Sequence, residues 1–146
     1  MSRILLVEDN EDDVALTLRA LERHNLKNEV VVVRDGMEAL DYLFCRGAYQ
    51  ARDPDVMPEL VLLDLNLPKL SGLEVLREIR SHENGKYLPV VVLTSSVEDR
   101  DVVESYRLGA NSYVQKPVNF SEFVEATREL GMYWLVLNRR PPPSAR

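Results

Sequence analysis

Four unbroken apolar runs limit what this chain can fold into: residues 4–7, 30–33, 60–63 and 90–93, built only from Val, Leu and Ile. A strand with one wet face alternates apolar and polar residues. A strand covered on both faces does not, so continuous runs of this length read as a buried parallel sheet. A fifth, shorter run is Tyr113-Val114. Helical spacing fills the gaps. Val14, Leu18 and Leu21 fall at i, i+4, i+7; Ala39, Tyr42 and Leu43 follow the second run. Leu73, Leu76, Ile79 and Arg80 follow the third, with Leu73, Leu76 and Arg80 on one face, and Val102, Val103, Tyr106 and Arg107 follow the fourth. Five β-α units in sequence predict an α/β fold with a doubly wound parallel sheet. Asn10 and Ser71 stand where helix N-caps belong. Pro89 opens the fourth strand, where a missing N–H is tolerated. The stretches 46–59 and 81–88 are polar, carry Pro or Gly, and read as surface loops.

Length and charge narrow the function classes. A chain of 146 residues suits one domain, able to bury roughly 70% of its unfolded surface. The longest apolar run is six residues, 132–137, against about 20 for a membrane span. No secretory signal follows Met1-Ser2-Arg3, and the single Cys45 cannot form an internal disulfide, so the expected location is the cytoplasm. A net charge of −6 makes nucleic acid a poor partner, because phosphate backbones select a basic face.

In an open parallel sheet, ligands gather beyond the carboxyl ends of the strands. The residues there are Glu8 and Asp9 after the first run, Asp64 and Asn66 after the third, Thr94 after the fourth, and Lys116 after the fifth. Alone, each has an ordinary explanation. Glu8-Asp9 suits a helix N-terminus, Asp64 to Pro68 suits a turn, Thr94 suits an N-cap, and Lys116 suits a surface. Together they bring three carboxylates, a hydroxyl and an ammonium to one edge of the sheet. Carboxylates crowded together repel without a cation, and hard oxygens in that number form a Mg²⁺ site. The ammonium and hydroxyl suit the oxygens of a phosphoryl group, and a central Asp64 is placed to attack phosphorus.

The segments ILLVEDNEDD, LVLLDLNLPKLSG, VVVLTSS and GANSYVQKPV, in this order and spacing, resemble the receiver domain of two-component response regulators over about residues 3–130. The resemblance implies a flavodoxin-like fold with strand order 2-1-3-4-5. It implies Asp64 as phospho-acceptor, with Asp9, Asp64 and the Asn66 carbonyl holding Mg²⁺ and Glu8 acting through a metal-bound water. Thr94 would be the switch hydroxyl, Tyr113 the aromatic switch partner, and Lys116 the partner of the phosphoryl or carboxylate oxygens. The Lys116-Pro117 bond would be cis. Glu8 stands where many receivers have Asp, which keeps the charge and lengthens the arm. The implied donor is the phosphohistidine of a sensor kinase. The implied output is an altered protein contact on the face of the fourth helix, fifth strand and fifth helix. Phosphotransfer and autodephosphorylation are expected, turnover of a separate substrate is not.

The receiver is expected over residues 1–138, with a basic, Pro-rich tail over 139–146. Too little chain follows residue 130 for an output domain. Phe120, Phe123, Thr127, Leu130, Trp134 and Leu137 make one helical stripe, while Val124, Met132, Tyr133, Leu135 and Val136 are apolar off it. A helix apolar on two faces predicts a homodimer through this region, the alternative being cover from the 46–59 loop or the tail. This helix end, Arg139-Arg140, the tail and the insert are similar to the stand-alone receivers that partner bacterial phytochromes. His24 and His82 read as surface histidines. Three other readings compete. A haloacid-dehalogenase-type phosphatase needs an acid two residues after its nucleophile, where this chain has Asn66. A receiver-fold adaptor independent of phosphorylation would have no use for the acidic cluster. A flavodoxin would need a phosphate loop where this chain has six polar residues from Glu8 to Asp13, five of them acidic.

Overall fold

The computed structural model describes residues 3–22, 29–95, 99–117 and 119–129. Its elements alternate: β1 (Arg3–Val7), α1 (Glu11–Glu22), β2 (Glu29–Val33), α2 (Gly36–Leu43), β3 (Leu60–Asp64), α3 (Gly72–Ser81), β4 (Val90–Thr94), α4 (Asp99–Arg107), β5 (Ser112–Gln115) and α5 (Phe120–Glu129). The five strands form one parallel sheet in the order β2-β1-β3-β4-β5. The expected architecture and strand order are both observed.

The period-two geometry of each strand sorts the apolar runs into two layers. Leu5, Val7, Val61, Leu63, Val90 and Val92 pack with Ala39, Leu40 and Leu43 of α2 and Val75, Leu76 and Ile79 of α3. Ile4, Leu6, Leu60, Leu62, Val91, Leu93 and Val114 pack with Val14 and Leu21 of α1 and Phe123 of α5. Both faces are covered, which is why the runs carry no polar residue. Burying one such side chain contributes about 1.5–3 kcal/mol.

Carried one step past the core, the same alternation sorts the polar residues at the strand ends. Glu8 continues the series of Ile4 and Leu6, Asp64 that of Leu60 and Leu62, and Lys116 that of Val114. All three therefore belong to the layer under α1 and α5. Thr94 continues the series of Val90 and Val92 and belongs to the opposite layer, as does Tyr113, which packs against it.

Local chemistry fixes the helix starts. The Asp13 N–H donates to Asn10 Oδ1 at 3.0 Å, which caps α1. The Glu74 N–H donates to Ser71 Oγ at 3.3 Å, and the Ser71 hydroxyl donates back to Glu74 Oε1 at 3.1 Å. This is a reciprocal cap of the kind that helix starts favour. Asp35 caps α2 one way only, accepting from the Glu38 N–H at 2.8 Å. Gly72 matters for closeness: a Cβ there would lie 2.3 Å from the Asp64 carbonyl oxygen. Its own N–H donates to the Leu65 carbonyl at 3.0 Å. The start of α3 thus rests directly on the end of β3.

The two long connections are more ordered than their composition suggests. Residues 46–59 contain a 3₁₀ turn at Gly47–Tyr49. The Tyr49 ring meets Tyr42 edge-on at 5.1 Å, and its hydroxyl donates to Glu38 Oε2 at 2.7 Å. Arg52 stacks over Tyr42 at 4.2 Å and donates from Nε to the Tyr42 carbonyl at 2.9 Å. These contacts seat the loop on α2. Arg80 binds the other connection. Its guanidinium donates to the carbonyls of Gly85 (2.8 Å), Leu88 (2.6 Å) and Gly109 (2.6 Å), and to Asn111 Oδ1 (3.0 Å). The spacing puts Arg80 on a helix face with Leu73 and Leu76; Leu73 packs against the core that buries Val75, Leu76 and Ile79, and Arg80 at the end of α3 acts as a clamp.

Phe123 is fully buried on the sheet. The dimer surface expected on the last helix lies mostly outside the described residues, as do the tail at 139–146 and His24. Among those described, no helix is long and apolar enough to cross a membrane.

Candidate functional site

The site stands at the carboxyl ends of β1, β3, β4 and β5. Glu8 is held there by its backbone, whose N–H donates to the Val33 carbonyl at 3.0 Å. Its side chain is buried, and its Oε2 accepts from the Asn10 N–H at 3.2 Å. Asp64 closes β3, and the Asn66 N–H donates to its Oδ1 at 3.2 Å. Asp9 lies exposed at the rim. Carboxylate oxygens of Glu8, Asp9 and Asp64 all lie within 4.8 Å of one another. That spacing, with hard anionic donors, fits a small divalent cation such as Mg²⁺.

Lys116 sits directly after β5, and its N–H donates to the Thr94 carbonyl at 2.9 Å, tying the ends of β4 and β5 together. The Lys116-Pro117 peptide is cis. The Lys116 ammonium reaches Asp64 Oδ2 at 3.1 Å and Asp13 Oδ2 at 3.0 Å, and forms an ion pair with Glu8. Three carboxylates therefore contact one ammonium, and a fourth, Asp9, lies beside two of them, a net excess of negative charge that invites a further cation.

The protonation equilibria carry the strain of this arrangement. Burial, reinforced by the neighbouring Asp64, pushes Glu8 up to about 7, against the pull of Lys116. For Lys116, burial pulls the amine down, but hydrogen bonds to Glu8, Asp13 and Asp64 outweigh it and raise its pKa. The lysine is held in its charged form by its surroundings, whereas the buried glutamate gives up part of its charge near neutrality.

Thr94 is fully buried at the end of β4. Its strand neighbour Leu93 is in register with Asp64, and Thr94 itself is in register with Gln115. Tyr113, in register with Val92, is half-buried. Burial first, then the charge of Asp101 and the nearby Tyr106, raises its hydroxyl pKa, so the ring lies toward α4. The structure thus brings Glu8, Asp9, Asp64 and Lys116 into one cluster with the Asn66 backbone beside it. Thr94 and Tyr113 fall on the other layer of the sheet, Tyr113 beside Asp101 and Tyr106 of α4. His82 stacks on Phe44 at 3.8 Å, away from the cluster.

Sequence reasoning missed Asp13. It stands one helical turn past Asp9 and reads as one of three acidic residues in the first turn of α1, a common dipole preference. Its partner Lys116 stands far away in the chain, so local spacing carries no signal for the contact.

Comparison with known proteins agrees with this geometry. The model of the response regulator receiver domain matches residues 4–128. Two curated relatives cover most of the chain. The "Probable methanogenesis regulatory protein FilR2" of Methanothrix harundinacea (strain 6Ac) is 42% identical over 97% of this chain and 88% of its own length. Response regulator Rcp1 of Synechocystis sp. (strain ATCC 27184 / PCC 6803 / Kazusa) is 40% identical over 90% of this chain and 88% of its own. Among solved structures, the bacteriophytochrome response regulator RtBRR superposes with a TM-score of 0.85 at 55% identity, covering 99% of this chain and 87% of that one. The phosphorylated cyanobacterial phytochrome response regulator RcpA gives 0.75 at 44% identity, over 92% and 94% of the two chains. The Mn²⁺-bound form of Rcp1 gives 0.76 at 37%, over 97% and 100%. With a family model spanning most of its length and an acidic cluster facing a buried lysine at the strand ends, this chain belongs to the response regulator receiver domain family.

Proposed function

We propose that this protein is a phospho-receiver: it accepts a phosphoryl group from a histidine kinase of the phytochrome type onto Asp64 and signals by altered protein contacts. The observation that carries the reading is the Lys116 ammonium 3.1 Å from Asp64 Oδ2, inside a ring of acidic oxygens. An ammonium so placed is already where the oxygens of a phosphoryl group on Asp64 would need a cation.

The receiver resemblance and the placement of these residues support the following roles. Asp9 and Asp64, with the Asn66 carbonyl and with Glu8 acting through a bound water, would hold Mg²⁺, which would neutralise charge on the phosphoryl oxygens. Asp64 Oδ attacks phosphorus, the bond from phosphorus to the donor histidine nitrogen breaks, and its electron pair leaves with the imidazole. Lys116 exchanges a carboxylate oxygen for a phosphoryl oxygen. Thr94 moves its hydroxyl toward the new phosphate, and Tyr113 takes up the space this leaves on the α4 side. Phosphorylation adds about −1.5 to −2 charges, and the response is a shift between two conformations that differ by a few kcal/mol. The protein turns over no separate substrate in this reading and works in the cytoplasm.

Phytochrome pairing draws its support from RtBRR and RcpA, whose overall likeness extends over nearly the whole chain. Incubation with phosphorylated bacteriophytochrome kinase, followed by gel detection of transfer, tests it. Rapid transfer to the wild type and none to Asp64→Asn is the expected result. Transfer only from kinases of other sensory classes removes the phytochrome pairing, and labelling of Asp64→Asn removes the acceptor assignment.

A further inference from the structure

Three carboxylates hold Lys116, and they are not equivalent. Glu8 and Asp64 also belong to the group of oxygens able to hold a metal; Asp13 does not. When a divalent cation takes Glu8 and Asp64, their attraction for the ammonium weakens, and the cation itself repels it. Lys116 then has one carboxylate left that the cation does not claim. We propose that Asp13 is a positioning residue, the counter-charge that keeps the Lys116 amine in the site while a divalent cation occupies it.

The geometry around Asp13 is built rather than incidental. The Glu8 Oε2 accepts from the Asn10 N–H, Asn10 Oδ1 accepts from the Asp13 N–H, and Asp13 Oδ2 accepts from Lys116 Nζ. Lys116 closes the ring by its ion pair with Glu8. The cap on α1 therefore fixes the backbone from which Asp13 reaches the amine. The Lys116 side chain is only 10% exposed and that of Asp13 33% exposed, so the contact is partly shielded from water. An ion pair in that setting is screened less than one on the open surface.

The inference rests on the reading of Glu8, Asp9 and Asp64 as a divalent-cation site, and the test separates the two. Mg²⁺ affinity is measured by titration calorimetry for the wild type, Asp13→Asn, Lys116→Met and the double variant. Groups behind a metal's own ligands typically change affinity by about 10–100-fold. Partial exposure puts Asp13 at the lower end, so Asp13→Asn should bind Mg²⁺ about tenfold more weakly, and Asp13→Glu should recover most of the loss. In the Lys116→Met background the same Asp13→Asn change should have little effect, because the double-mutant cycle isolates the pair. An equal loss in both backgrounds would show Asp13 acting only as a distant charge and would overturn the proposal. Failure of the wild type to bind Mg²⁺ at all would overturn the cation-site reading and the proposal with it. A second measurement covers poor folding of Lys116→Met. The Lys116 ammonium protons, followed by ¹⁵N NMR with saturating Mg²⁺, should exchange slowly in the wild type and rapidly in Asp13→Asn. Equally slow exchange in both would also refute the role.

Discussion

Glu8 offers the sharpest handle on the energetics of the site. Its pKa rises from 4.5 to about 7 in the folded, metal-free protein, through burial first and then the neighbouring Asp64. An acid whose folded pKa is raised binds its proton more tightly when folded than when unfolded. Folding is therefore favoured while the proton is on and penalised as it leaves, so metal-free stability should fall as pH rises from about 4.5 to about 7. One unit corresponds to 1.36 kcal/mol, so the full window is worth about 3 kcal/mol. Part of that is shared with Lys116 and Asp64, and an observed loss of about 1–3 kcal/mol is expected. The assay is urea denaturation in chelator at half-unit pH steps between 4 and 8, for the wild type and Glu8→Gln. The glutamine removes the titration and shifts stability by an amount independent of pH in this window, so the difference between the two curves isolates Glu8 from the histidines. The wild type should lose stability relative to Glu8→Gln as pH rises, and saturating Mg²⁺ should abolish that relative loss by binding the ionised carboxylate. A difference curve that is flat, or that slopes the other way, would refute the electrostatic reasoning.

Other consequences concern the frame of the site. Truncating Leu62, fully buried in the α1–α5 layer, to Ala should cost about 2–5 kcal/mol by chemical denaturation; less than 1 kcal/mol would contradict the packing described. Gly72→Ala would drive a Cβ into the Asp64 carbonyl, so it should both lower the unfolding midpoint and weaken Mg²⁺ binding, whereas unchanged Mg²⁺ affinity would separate α3 from the site. Arg80→Met should destabilise by about 2–4 kcal/mol, because several carbonyls lose a charged donor at once. Hydrogen exchange should then rise at Gly85, Leu88 and Gly109, and a rise elsewhere instead would assign Arg80 a different role.

The strands were readable in the sequence because burial on both faces leaves no choice but continuous Val, Leu and Ile. The site residues were readable for a related reason. A polar residue placed immediately after such a run, as Glu8, Asp64 and Thr94 are, has no packing role to explain it. Helical residues gave weaker signals. Asp13 and Arg80 stand among other charged residues on helices, where solvated charges are the rule, and only three-dimensional proximity reveals the amine of one and the carbonyls of the other. The 46–59 connection reads as a loop from its Pro and charge content. Its order comes from Tyr49 and Arg52 finding Tyr42, a long-range match that local composition does not encode. The two-layer split of Glu8, Asp64 and Lys116 from Thr94 and Tyr113 follows from period-two counting, yet it becomes visible only once the helix on each side is known.

In the proposed function, acidic oxygens converging beside Asp64 make its carboxylate a metal-assisted acceptor of phosphorus. The most direct measurement is site mapping after treatment with a small acyl phosphate, with borohydride trapping of the acyl phosphate and peptide mass spectrometry. Modification confined to Asp64, dependent on Mg²⁺ and abolished by chelator, is the predicted result. Modification at another residue, or at Asp64 with equal yield in chelator, would contradict it.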